Sequence, residues 1–596
     1  MAAHKEGNDL VIDSWEQGIA DAPEQGITFM RNINLVSIPG EAPVNYKTAE
    51  GGVPPAGTSG ASCTLTASTN AVTWTTGGVT LYSGAAVMFG STAGGVTAAT
   101  VYWISNVTNG STGSFKVYTD IGHSQVVTLS NASNTFTVIP FGKPKQKAID
   151  SVNKYVFMLD DAGRAWWINS SSNLVFLGNT TLTSTHGNGL CVFGNYLFVF
   201  RDSAIDYFPI TYITSTSTPV WTYGWNSWSI TTDSSTGYSH YAIAAQDNGM
   251  YFCNGQNIQS ILVVGGSVFD PTNSATYTAT LPSGYALLLP TVDRAVCLAE
   301  LGTSLLVGGI QNKIYPWDRV STSYSYPVIV AESYITRMVT TNSSTYVFAG
   351  NRGRIYITNG ANINLFKKVP DHIVGIFGAS NGTDPYYTWL DAIYWKNQIF
   401  FSFTVTKNDG TAVTNMGGLW ALDVSMNIMG TATAVGLRMT NTLSQGATFF
   451  PHVIAPNVNS NNPAGTGLYL GWSSATTTSY GIDVTTSNPY SDLSTEVVGE
   501  IYTDLIKTGT YIAPLSFTQV EWKLAEPLVS GEKVRISIRQ SYSDAWTVVG
   551  TTDTAGVLSA AYDMPVQNGQ WVQFYIELQS TTSSPSFVRL KEIRVR

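Results

Sequence analysis

The stretch Tyr155-Val-Phe-Met-Leu159, Asp160-Asp-Ala-Gly163, Arg164-Ala-Trp-Trp-Ile168 decides the fold. It is two apolar runs joined by a turn of Asp, Ala and Gly. Asp and Gly accept the backbone angles of a tight turn, while Val, Phe, Ile and Trp suit a pleated surface, so the stretch reads as a β-hairpin. Neither run alternates with polar residues. Both faces are therefore buried, as they are in a sheet wedged between two neighbours. The pair Trp166-Trp167 then needs no ligand to explain it.

The same unit recurs along the chain in loose form. Cys191-Val-Phe193 is followed by Tyr196-Leu-Phe-Val-Phe-Arg201 and Ile205-Asp-Tyr-Phe208, and Met250-Tyr-Phe-Cys253 by Ile258-Gln-Ser-Ile-Leu262. Val296-Cys-Leu-Ala-Glu300 precedes Leu305-Leu-Val307 and Lys313-Ile-Tyr315; Thr345-Tyr-Val-Phe-Ala349 precedes Arg354-Ile-Tyr-Ile-Thr358. Ile393-Tyr-Trp395 with Gln398-Ile-Phe-Phe-Ser402 and Leu419-Trp-Ala-Leu422, then Leu468-Tyr-Leu-Gly471 with Tyr480-Gly-Ile-Asp483, complete the series. The hairpin centres return roughly every 40 to 55 residues, the blade period of a β-propeller. Residues 142–494 are predicted to form six or seven blades.

Three further segments flank this array. Residues 1–57 carry strand signals but too few apolar residues for a core, so they read as an N-terminal arm packing on the propeller. Residues 58–141 turn to Gly, Ala, Ser and Thr with short strands such as Thr100–Ile104 and Thr135–Val138, which predicts an inserted Ig-like β-sandwich. In 495–596, Val520, Trp522 and Leu524 alternate with Glu521 and Lys523, and Val572, Phe574, Ile576 and Leu578 with Gln573, Tyr575 and Glu577. Strict period two predicts a C-terminal β-sandwich with one face in the core. Helical periodicity is nearly absent, and the chain reads as all-β.

Composition narrows the function classes. Charged residues are 12% of the chain, about half the usual quarter, and aromatics another 12%, so the chain folds rather than staying disordered. Thirty basic against 39 acidic residues give a net charge of −9 and a pI near 5.2, which argues against a broad basic surface for nucleic acid. No apolar run approaches the roughly 18 residues of a membrane span, and the N-terminus lacks the apolar core of a secretory signal. Synthesis in a cytosol is the expectation, and the Asn-x-Ser/Thr sequons then carry no information. Cys63, Cys191, Cys253 and Cys297 lie far apart and read as free thiols.

Catalytic patterns are sparse. Asp160, Asp161, Gly163 and Trp166 match the D-x-G-x-x-W part of a sialidase Asp-box, with Leu159 where Ser is expected. Such a box shapes a turn more often than it does chemistry. Asp160, Asp293, Asp371 and Asp391 are isolated carboxylates that spacing cannot pair for glycoside hydrolysis. The histidines, among them His186, His240, His372 and His452, show no metal-ligand spacing. No nucleophile elbow or phosphate loop is present. The expectation is a protein without cofactor, metal or catalytic residues. Trp221, Trp225 and Trp228, in a Ser/Thr-rich loop, are candidates for stacking on sugar rings.

Three stretches carry a resemblance. Ser14-Trp-Glu-Gln-Gly18 with Met30-Arg31-Asn32 and Ile38-Pro-Gly40 resembles the start of tail-associated virion proteins of tailed bacteriophages, and Tyr102-Trp103-Ile104 with Asn134-Thr-Phe-Thr-Val138 looks like a phage β-sandwich module. Leu190-Cys-Val-Phe-Gly194 with Phe200-Arg-Asp-Ser-Ala-Ile-Asp-Tyr-Phe208 is similar to a blade of the tail nozzle, or packaged-DNA stabilisation, proteins of short-tailed phages. The resemblance implies a structural, non-enzymatic virion protein in the phage tail. It implies a hexameric ring below the portal or adaptor that retains and conducts the genome, touches double-stranded DNA transiently, and docks tail fibre, tailspike or needle proteins. The early insertion departs from the family and leaves open which protein gates the channel. Two alternatives stand beside it: a glycan-binding or glycan-cleaving tail protein, and a tail-tip or baseplate component of a long-tailed phage.

Overall fold

A computed structural model of the chain describes residues 4–6, 9–12, 27–31, 42–43, 49–50, 60–75, 80–169, 172–178, 189–201, 204–213, 226–231, 242–245, 248–341, 343–369, 385–407, 410–426, 432–458, 467–485, 497–503, 506–507, 509–510, 513–514, 518–541, 544–564, 571–580 and 588–596. The chain is all-β. Among the described residues, helix is confined to the short 3-10 turns Ile210–Ile213 and Thr414–Met416.

The opening hairpin is the middle of a four-stranded antiparallel meander: Pro144–Asp150, Tyr155–Asp160, Ala165–Ile168 and Leu174–Phe176. Six more sheets follow in sequence, with first strands Gly189–Phe193, Ala242–Ala244, Ala295–Leu301, Ile335–Thr340, Tyr386–Trp395 and Phe449–Pro456. Each first strand packs against the first strand of the next sheet, and Phe449–Pro456 packs back against Pro144–Asp150, closing a ring. The second strands lie deepest: Gly249–Asn254 and Thr345–Ala349 are buried at every position. A strand enclosed on both faces has no use for polar alternation, which is why these runs are continuously apolar. The last sheet takes its fourth strand from the other end of the chain, where Ala49–Glu50 pairs with Tyr480–Val484.

Residues 61–138 differ from expectation. Their six strands hydrogen-bond in one closed barrel instead of the two facing sheets of an Ig-like sandwich. Strands this short, rich in Ser, Thr and Ala, offer too few large side chains to fill the space between two sheets. Rolled into one barrel, they enclose a compact core in which Trp74, Phe115 and Phe136 meet edge to face at 5.3 to 6.0 Å. The barrel caps the outer strand of the first sheet. Trp103 Nε1 donates to the Phe176 carbonyl at 2.8 Å, and the Tyr82 hydroxyl to that of Leu174 at 2.7 Å.

The N-terminal arm also departs from a simple packing role, because its strands are built into other sheets. Ile27–Arg31 lies between Ala432–Asn441 of the sixth sheet, which it joins in parallel, and Val497–Thr503 of the C-terminal region, which it joins antiparallel. One hydrogen-bonded sheet therefore runs from the ring into the C-terminal region. His4–Glu6, Asp9–Ile12 and Ala42–Pro43 complete a second sheet with Gln519–Leu524, Ser559–Asp563 and Arg589–Val595. The two sheets share a core that includes Val520, Trp522, Leu524, Phe574, Ile576 and Leu578, residues marked by the period-two pattern, together with Ile536 and Ile593. The opposite face of the first of these sheets is not fully solvated: Ser537 and Gln573 are buried as well.

Met30, fully buried, is the arm's contribution to that core. Met30→Ala is expected to destabilise the C-terminal region by about 3 kcal/mol, seen as a lower urea midpoint in far-UV circular dichroism; an unchanged midpoint would refute the arm's structural role.

Candidate functional site

The axis of the ring is where side chains from different sheets converge. Lys147 of the first sheet, Arg337 of the fifth and Asp391 of the sixth line a cavity of about 320 Å³, together with Lys145, Cys191 and Met338. Lys147 Nζ donates to Asp391 Oδ2 at 2.5 Å, and the Ile454 amide donates to the same oxygen at 2.7 Å. Arg337 Nε stands 3.9 Å from Asp391 Oδ1, beyond hydrogen-bonding distance, while its Nη1 donates to the Thr336 carbonyl at 3.2 Å.

Burial lowers the Lys147 pKa, against the opposing pull of Asp391. Burial also pushes the Cys191 thiol up to about 12, so it holds its proton at neutral pH and is no nucleophile. The geometry is that of a charged binding cavity rather than of a nucleophile with its base.

Among the described residues, Asp160, Asp293 and Asp391 have separate surroundings and do not pair. Asp160, fully buried, accepts from the Gly142, Ala162 and Arg164 amides at 2.9 to 3.0 Å, from Arg164 Nε at 2.8 Å and from Trp166 Nε1 at 3.1 Å. It fastens a hairpin turn to the segment leading into the first strand. Asp293 holds the fourth sheet in a similar way, through the Gln311 amide at 3.0 Å and the Tyr315 hydroxyl at 2.6 Å. Glu332 holds the fifth through Arg354 Nη1 at 3.1 Å and the Tyr356 hydroxyl at 3.3 Å. Gly309 is required beside Asp293, because a Cβ there would lie 2.4 Å from the carboxylate. Asp371 falls outside the described residues.

Of the candidate tryptophans, Trp221 and Trp225 also lie outside the described residues. Trp228 sits on the outer strand Asn226–Ser229 and packs on Phe198 at 5.6 Å, Tyr207 at 5.0 Å and Tyr277 at 5.5 Å. Its rings are engaged by the protein's own aromatics, which leaves little bare face for a sugar. His186, His240 and His372 are outside the described residues. His452 pairs with Ser473 Oγ at 2.7 Å. Among the described residues no cluster of His, Cys, Asp and Glu could hold a metal ion, and no helix is long and apolar enough to cross a membrane.

A second polar cluster lies on the C-terminal sheet. Tyr502 and Tyr575 stack at 4.5 Å, Arg539 covers the Trp546 ring at 4.4 Å, and the Tyr575 hydroxyl stands 3.1 Å from both Glu500 Oε1 and Glu577 Oε2. Burial, then Glu500, raises the Tyr575 pKa, so the phenol stays protonated and serves as a donor.

Sequence reading missed the axial cluster because Lys147 and Asp391 are 244 residues apart. The available signal was local: Lys145 and Lys147 alternating on one first strand, and Asp391 interrupting the aromatic run from Tyr386 to Trp395.

No family model matches the chain, and no curated protein is significantly similar to it. Among solved structures it is similar to the β-propeller domain of Cps50 (Swd1) from Myceliophteria thermophila, at 11% identity, covering 59% of this chain and 98% of that one, with a TM-score of 0.37. It is also similar to YCF48 bound to D1 peptide, at 10% identity, covering 58% and 94%, with a TM-score of 0.36. Both carry little weight beside the ring of first strands.

Asp160→Asn replaces one of the two acceptor oxygens with a donor NH2, so either the Ala162 and Arg164 amides or the Gly142 amide, Arg164 Nε and Trp166 Nε1 lose their acceptor. It should cost about 3 kcal/mol, measured as a lower thermal midpoint, and a neutral effect would contradict the fastening role. A pH effect follows from His452, whose pKa is lowered to about 3 by burial and by Lys143. Its folded pKa lies below its unfolded one, so stability is full above about pH 6.5 and falls as pH drops toward 3. His452→Gln should flatten the loss of stability over that window in urea titrations at stepped pH; an unchanged profile would refute the assignment.

Proposed function

We propose that this chain is a non-enzymatic structural protein of a phage tail, a seven-bladed propeller with an inserted barrel and a C-terminal β-sandwich. Several copies form a ring-shaped nozzle below the portal or adaptor of a short-tailed virion. The ring, six-fold by the resemblance, retains and conducts the genome and docks fibre, spike or needle proteins.

The observation that carries the reading is the continuous sheet in which Ile27–Arg31 joins the ring to the C-terminal region. Backbone hydrogen bonds at that junction tie the ring to the C-terminal region, which suits a permanent part of a large assembly. The axis of a single chain is ill suited to conduction, since Lys147, Arg337 and Asp391 converge on it around a cavity of only about 320 Å³. Any passage for a duplex then lies between copies. Low charge content favours broad permanent contacts, because such interfaces deplete Lys, Glu and Asp, and a net charge of −9 lets DNA slide past without tight adhesion.

Native mass spectrometry and negative-stain imaging of the full chain, alone and with its portal or adaptor, test this. Closed rings with a central hole wide enough for a duplex are expected. A monomer or trimer that binds host glycans and ignores the adaptor would overturn it.

A further inference from the structure

In all seven sheets of the ring the first three strands form an antiparallel meander, and in the first six the fourth strand continues it. The starts of first strands, the turns between second and third strands, and the ends of fourth strands therefore share one end of the ring. That end collects Lys145, Arg294, Lys313, Arg352, Lys367 and Lys368. Its acids are largely withdrawn: Asp160 and Asp293 are fully buried in their turns, and the Glu332 side chain is 4% exposed. The described charges of that end thus include six bases, of which Arg352 is exposed and the others half-buried, beside the exposed Asp161. Lys147 and Arg337, a few positions further along their strands, carry the positive charge into the axial cavity.

We propose that the axial cavity binds a small molecule bearing two or more oxyanion groups, carboxylate or phosphate, with Arg337 as its anchor. A guanidinium has five N–H donors in a rigid fork. Among the described residues that of Arg337, with 20% of its side chain exposed, donates to the neighbouring Thr336 carbonyl and pairs loosely, at 3.9 Å, with the Asp391 Oδ1 that Lys147 and the Ile454 amide leave uncovered, so most of its N–H donors face the cavity without a protein acceptor. Planar oxyanions fit such a fork in bidentate fashion.

Lys147 and Arg337 outnumber the single carboxylate of Asp391 in this cavity, and Lys145 also lines it, so an oxyanion ligand supplies negative charge that the lining lacks. Ile243, Met338 and Val453 supply an apolar wall for its carbon skeleton. The volume lies at the small-ligand end of the usual range, roughly 300 to 1,000 Å³. The protonated Cys191 makes the site one of binding, with no covalent step. The proposal concerns the axis of one chain and does not depend on assembly into a nozzle.

Isothermal titration of the full-length protein with pyrophosphate, citrate and glucuronate tests it. Pyrophosphate or citrate is expected to bind saturably, with Arg337→Gln weakening it at least tenfold and Lys313→Gln, on the same end but outside the cavity, changing it less than twofold. Glucuronate, which bears a single carboxylate, is expected to bind at least tenfold more weakly than pyrophosphate or citrate, and equal affinity for it would overturn the requirement for two oxyanion groups. Equal affinity in wild type and Arg337→Gln, equal losses in both variants, or no saturable binding of any of the three would overturn the proposal. If Arg337→Gln fails to fold, Arg337→Lys, which keeps the charge but loses the fork, replaces it, with about tenfold weaker binding expected and equal binding as the refuting result.

Discussion

A sheet edge must be paired or covered, and that constraint organises this molecule more than any single side chain does. An exposed edge offers a row of unpaired N–H and C=O groups to any passing strand. The first sheet has its outer strand, Leu174–Phe176, covered by the barrel through Trp103 and Tyr82. The sixth continues through Ile27–Arg31 into the C-terminal region, and the seventh is completed by Ala49–Glu50. The parts of the chain outside the ring converge on these three consecutive sheets. Residues 1–57 are thus the pieces that finish edges elsewhere, a role that ties both ends of the chain into one object.

Within the sheets, polar groups are spent on fixing loops. Charged residues are only 12% of the chain, yet Asp160 and Asp293 are buried and the Glu332 side chain is 4% exposed, and each accepts bonds from its sheet's third strand or the turn that leads into it. A buried carboxylate is tolerable when its oxygens are saturated by amides, a hydroxyl or a guanidinium, and costly when they are not. The partial Asp-box is one case of this device. In the other two the acid comes from the segment ahead of the first strand instead of from the end of the second. The same corner of the sheet is thus fastened from different positions in the sequence, which is one reason the repeat looks loose.

Much of the architecture was legible because burial leaves a period. Continuous apolar runs such as Tyr155–Leu159 marked strands enclosed on both faces, and the alternation around Trp522 and Phe574 marked the inward face of the C-terminal core. Closure was not legible. Whether strands such as Ala61–Thr66 and Ala132–Val138 face each other across a gap or join one ring depends on hydrogen bonds between residues some 70 apart, and neither alternative changes the local pattern. The axial cluster was hidden for the same reason, since Lys147 and Asp391 meet only because sheets that are not neighbours turn their first strands to a common axis. The buried polar face carrying Ser537 and Gln573 was hidden too, because a polar strand face reads as solvated until something is seen to cover it.

The charge distribution holds detail that the net charge blurs. A value of −9 describes the whole chain, and at long range it repels a nucleic acid backbone. Close to the ring the sum is a poor guide, because Asp160 and Asp293 are buried as acceptors while Arg352 stands exposed beside Asp161. Buried acids fully engaged with donors contribute little field outside, so the local potential is set by the groups that reach solvent. This fold uses carboxylates to tie turns together, and the net charge therefore overstates the negative field at those turns.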